Sequence, residues 1–261
     1  MEPSWERVRV AGTEIRMWRA GQGPVLLFLH GAGGPAWALG VELLSRRYTV
    51  LFPEHPGFGE SGRPGWVETV HDLGIFYLEF LEALQLREVA LVGHSLGGWI
   101  ASEVASLCTH SLGALVLVAP VGINLGAAQV DIFATPPDEL APMAYYDKSL
   151  ATARPPLGRE ELRILYRNRA TSARLSWASA PTVPKLAARL FRIRIPTLLL
   201  WGQQDELIPA SSAEMFLERI PQARLVTLEA CGHVPQVEQP EAFAQHITEF
   251  LEAAVGVGGP R

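Results

Sequence analysis

Short, nearly continuous apolar runs recur along the chain at residues 25–29, 48–52, 89–92, 114–119, 197–201 and 224–228. A strand with one wet face alternates apolar and polar residues. Unbroken runs of this length suit strands buried on both faces of a parallel sheet. Segments of helical periodicity lie between the runs. The clearest covers residues 67–86, where Val70, Leu73, Phe76, Tyr77, Phe80, Leu81 and Leu84 recur at three- and four-residue steps. Residues 214–220 and 241–254 read the same way. Such alternation calls for right-handed crossovers and an open, twisted α/β sheet. Ahead of it, residues 5–10 and 14–19 alternate around Ala11-Gly12-Thr13, which predicts a hairpin.

The rhythm breaks between residues 121 and 191. No strong strand run occurs there, and Pro136-Pro137 and Pro155-Pro156 divide helix-like patterns at 138–150, 159–179 and 183–191. This predicts a helical cap, 121–191, inserted into a core domain of 1–120 and 192–261. The cap should sit over the carboxyl edge of the sheet, where open α/β sheets bind ligands. Its Leu140, Met143, Tyr145, Tyr146, Leu162, Leu165, Tyr166 and Trp177 exceed what short helices can hide among themselves, so part of that surface is expected to line a pocket.

Composition narrows the function classes. The chain has 261 residues, 48% hydrophobic and 19% charged, with a formal charge of −5. That is an ordinary globular balance, and it argues against nucleic-acid binding, which needs a basic surface. No run reaches the ~20 apolar residues of a membrane span. The two cysteines, Cys108 and Cys231, cannot build a disulfide framework, and the first residues lack the pattern of a signal peptide. A cytoplasmic location is therefore expected. No His-Glu-x-x-His or comparable spacing suggests a metal.

The sharpest local signal is Gly93-His94-Ser95-Leu96-Gly97-Gly98, after a strand run and before a helix-like segment. A serine on so tight a turn stands clear of the sheet, and the glycines leave room for close backbones. Its hydroxyl needs a base, and the base needs an orienting carboxylate. Asp205, in Gly202-Gln203-Gln204-Asp205, and His233, in Gly232-His233-Val234-Pro235, each lie just past a strand run. Glu206 and Asp131 are alternative acids. An oxyanion hole would come from the Leu96 amide and from the loop His30-Gly31-Ala32-Gly33-Gly34, with the Ala32 amide as second donor. His94 reads as a packing residue. His30, Trp37, Trp99 and Val234 are the core's candidates for the substrate pocket, with Phe58 beside them. Tyr146, Leu162 and Trp177 are the cap's.

These pieces, with Pro56-Gly57-Phe58-Gly59-Glu60-Ser61 and the Glu238 and Pro240 that follow His233, occur in the order of the α/β-hydrolase superfamily. The chain resembles its bacterial members with a helical cap. The resemblance implies a mostly parallel eight-stranded sheet flanked by helices, a Ser95–His233–Asp205 triad, and no cofactor. The expected activity is hydrolysis of a small-molecule carboxylic ester through an acyl-enzyme. Two other readings stand beside it. One is a C–C bond hydrolase of ring-fission products, or a lactonase. Relatives of the first kind usually carry Asn before the serine and Trp after the histidine, whereas His94 and Val234 stand here. The other is a ligand-binding receptor that kept the fold.

Overall fold

The computed structural model describes residues 3–123, 130–152, 157–179 and 184–257. Among these residues one eight-stranded sheet runs in the order β1-β2-β4-β3-β5-β6-β7-β8. Strands β1 (Ser4–Val10) and β2 (Thr13–Ala20) form the predicted hairpin and pair antiparallel. Ala11 and Gly12 both take positive φ, 47° and 75°, as a two-residue turn matched to strand twist requires. Strand β2 also pairs antiparallel with β4 (Thr49–Pro53). From there the sheet is parallel: β3 (Val25–Leu29), β5 (Val89–His94), β6 (Leu112–Val118), β7 (Thr197–Gly202) and β8 (Ala223–Leu228).

Helices cover both faces. Helix α1 (Leu39–Leu44) precedes β4, α2 (Val70–Ala83) precedes β5, and α3 (Leu96–Leu107) follows it. Helix α2 is shorter than the apolar period predicts. Thr69 and Asp72 form a reciprocal capping box, which satisfies first-turn amides and fixes the start. One core cluster joins α2 and α3 to one face of the sheet. A second packs Phe28, Val92, Val116 and Leu198 against Phe243, Ile247 and Phe250 on the other.

Between β6 and β7 lie α4 (Pro137–Met143), α5 (Ser149–Thr152), α6 (Arg159–Ser179) and α7 (Pro184–Ala187), then a 3-10 turn (Leu190–Arg192). Polar side chains dock α6 onto the loops after β3 and β4. The Asn168 amide group donates to the Gly33 carbonyl at 3.0 Å, and its oxygen accepts from the Gly59 amide at 2.9 Å. Ser172 donates to the Ala32 carbonyl at 2.9 Å, and Thr171 to the Gly57 carbonyl at 3.0 Å. Helices α8 (Ser212–Leu217), α9 (Pro235–Glu238) and α10 (Pro240–Val257) complete the chain. No described helix is long and apolar enough to cross a membrane.

Candidate active site

Ser95 sits between β5 and α3 with φ 55° and ψ −115°. A non-glycine residue in that region carries backbone strain, of order 1–3 kcal/mol, and persists only when its surroundings over-determine it. They do so here. The Ser95 amide donates to the Val118 carbonyl at 2.9 Å, and its carbonyl accepts from the Trp99 and Val121 amides at 3.1 and 3.3 Å. The glycines answer to clearance. A Cβ on Gly93 would lie 2.3 Å from the Gly97 carbonyl oxygen, and one on Gly97 would lie 2.0 Å from that of Leu29. Ser95 stays partly exposed while residues 96–100 behind it are buried.

Asp205 and His233 meet in the interior. His233 donates its Nδ1 proton to Asp205 Oδ2 at 2.7 Å, with 7% and 0% of the two side chains exposed. The other oxygen, Oδ1, accepts from the Leu207 and Ile208 amides at 2.9 and 2.8 Å. With Nδ1 committed to the carboxylate, the neutral ring leaves Nε2 as a lone-pair acceptor. The two loops are knitted together: the Gln204 amide donates to the Cys231 carbonyl at 3.0 Å, and the Cys231 amide to Gln204 Oε1 at 3.1 Å. Glu206, the neighbouring acid, instead pairs with Lys148 at 2.8 Å. Asp131 is exposed and accepts from the Phe133 and Ala134 amides.

His94 does more than pack. Its Nε2–H donates to the His233 carbonyl at 2.8 Å, and Nδ1 faces Gln236 Nε2 at 3.4 Å. Burial pushes its pKa down to about 3, so the ring stays neutral and keeps this tautomer. The loop after β3 runs alongside: a Cβ on Gly31 would lie 3.1 Å from His94 Nδ1 and 3.4 Å from Ser95 Cβ. Leu96 opens α3, where first-turn amides lack an intrahelical acceptor. Ala32 follows Gly31, and Ser172 holds its carbonyl.

The expected pocket residues divide. His30 is 2% exposed, with both ring nitrogens occupied. Nδ1–H donates to the Gly31 carbonyl at 2.7 Å, and Nε2 accepts from the His55 amide at 3.0 Å. Its ring lies 3.7 Å from that of His55, whose Nδ1 accepts from the Tyr77 hydroxyl at 2.6 Å. Burial lowers both histidines, His55 to about 4. His30 therefore braces the loop. Phe58 is fully buried against these rings. Trp37 packs on Trp18 and Phe52 of the sheet. Tyr146 and Leu162 are 51% and 40% exposed. Trp99 is 8% exposed, packed near Gly122, and Val234 is half-buried beside His233. The Trp177 side chain lies outside the described residues.

Among the described residues no group of three or more His, Cys, Asp or Glu side chains is arranged to hold a metal ion. Sequence reasoning missed the docking residues Asn168 and Ser172, and it placed Glu238 in the family motif without its bridging role. Asn168 had one signal, since it is one of only two asparagines in the chain.

Comparison with known proteins agrees with this architecture. The chain is 30% identical to a pimeloyl-[acyl-carrier protein] methyl ester esterase of Aeromonas hydrophila, over 91% of this chain and 99% of that one. It is 27% identical to a 2-hydroxy-6-oxo-6-(2'-aminophenyl)hexa-2,4-dienoic acid hydrolase of Metapseudomonas resinovorans, covering 94% and 89%. A crystal structure described as a membrane phospholipase A superposes with a TM-score of 0.80 at 29% identity, covering 97% and 87%. A model of the alpha/beta hydrolase family matches residues 26–246, and the chain belongs to that family.

Proposed function

We propose that this hydrolase cleaves carboxylic esters through an acyl-enzyme. Ser95 attacks the ester carbonyl. His233 takes the hydroxyl proton on Nε2 and returns it to the departing alcohol. Water then enters by the same route and releases the acid. Asp205 fixes the imidazole tautomer and stabilises the imidazolium that forms. The Leu96 and Ala32 amides hold the oxyanion, whose stabilisation in such sites is worth about 2.7–4 kcal/mol per donor. Residues 121–191 act as a cap over this site. One observation carries the reading: the 2.7 Å bond from His233 Nδ1 to Asp205; the positive φ of Ser95 at the turn between β5 and α3 supports it.

Esterase and lipase relatives support ester chemistry, and ring-fission hydrolases among the relatives keep C–C cleavage as the competing outcome. The deciding experiment compares kcat/KM on p-nitrophenyl esters from acetate to octanoate, lactones, thioesters and a vinylogous diketone. Esters are expected to lead. A diketone or lactone preferred by tenfold would replace the ester reading, and no turnover of any compound would favour a receptor.

A further inference from the structure

Glu238 closes the short helix that follows His233, and its two carboxylate oxygens serve different parts of the chain. Oε1 accepts from the Gly232 amide at 2.8 Å. Oε2 accepts from the Tyr146 amide at 2.7 Å and faces that of Asp147 at 3.4 Å. A main-chain bond runs between the same two segments: the His233 amide donates to the Ala144 carbonyl at 2.9 Å. Gly232 permits the approach, since a Cβ there would lie 2.9 Å from both the Ala144 oxygen and the Tyr146 nitrogen. The pair Lys148–Glu206 ties the next residues of the insertion to the neighbour of Asp205. Residues 144–148 thus grip the histidine loop and the aspartate loop together.

We propose that Glu238 is a positioning residue that makes the placement of His233 depend on the docking of residues 144–147. This rests on reading His233 as the base. With each oxygen on a different segment, the carboxylate cannot orient one without the other, and hydrogen bonds to a carboxylate are the stronger kind. If residues 144–147 leave, the His233 amide loses its acceptor and Gly232 loses the bridge that fixes it. His233 keeps Asp205 but loses a hold on its main chain. Displacement of a reacting group by about 1 Å can lower the rate by roughly 100-fold.

Glu238→Gln keeps the size but offers one acceptor oxygen and sets an NH2 against the other amide. On p-nitrophenyl acetate, a small ester, kcat should fall on the order of 10- to 100-fold with KM little changed. Hydrogen exchange should speed up together at residues 144–147 and 232–233. A parent-like kcat, or faster exchange in one segment alone, overturns the coupling. Ser95→Ala run in parallel separates the two ideas, because an active Ser95→Ala enzyme overturns the catalytic reading itself. The unaltered protein gives a second test. Coupling is reciprocal in binding free energy, so a small phosphonate adduct on Ser95 that engages His233 should slow exchange at the Tyr146 and Asp147 amides several-fold. Unchanged exchange there overturns the proposal even if the Gln variant fails to fold.

Discussion

Lowering the pH from 7.5 to 5.5 should destabilise this protein through histidines it keeps neutral. His30, His55 and His94 are all buried, and burial holds His55 at about 4, His94 at about 3 and His30 well below 6.5. In the unfolded chain each returns to about 6.5. Between those values the unfolded state binds more protons, so stability falls with falling pH and levels off only below the folded values. His55 and His94 then each contribute about 1.4 kcal/mol of loss across the interval, about 3 kcal/mol together, and His30 adds to it in the same direction. That is a large share of a typical stability of about 5–15 kcal/mol. Glu54 opposes the trend, because burial raises its carboxyl and the folded state holds that proton more readily. It brings the net loss below that sum. Urea unfolding at pH 7.5, 6.5 and 5.5 measures the loss directly. His55→Gln removes one of the three protons and should make the dependence shallower by about 1.4 kcal/mol over the interval. A total loss under about 1.4 kcal/mol in the parent, less than one proton's worth, would refute the neutral buried network.

Thiol chemistry should separate the two cysteines. Burial pushes the Cys231 thiol up to about 12, whereas Cys108 is half-buried. Iodoacetamide at pH 8 should add one label to the native chain and two after denaturation, read by intact mass; native labelling of Cys231 contradicts this. Asp205→Asn should leave the melting temperature within a few degrees yet lower kcat about 10⁴-fold, because the amide favours the wrong imidazole tautomer. Steady-state ester hydrolysis checks it, and a loss under tenfold would remove Asp205 from its role.

The strands were legible because burial on both faces leaves an unbroken apolar run. The run at 25–29 matches β3 in full, and the others shift by one or two residues at their ends. The α6 pattern at 159–179 also matches its helix in full. The elbow was legible because steric clearance restricts its residue types. Pocket lining was not, because apolar character alone does not say which way a side chain is buried. Trp37 turned to the sheet, while Leu162 and Tyr146 stayed exposed. Docking of α6 rests on Asn168, Ser172 and Thr171 bonded to distant carbonyls, and such polar contacts leave no periodicity in the sequence. Glu238 was visible only as part of a motif, since its partners Tyr146 and Asp147 lie 92 and 91 residues away.

The most direct test of the account is covalent capture of the nucleophile. A fluorophosphonate should add one equivalent to the protein, the labelled peptide should map to Ser95, and labelling should abolish ester hydrolysis. Ser95→Ala should take no label and lose on the order of 10⁶-fold in kcat. Label on another residue, or an alanine variant that keeps a tenth of the parent's activity, would contradict the mechanism.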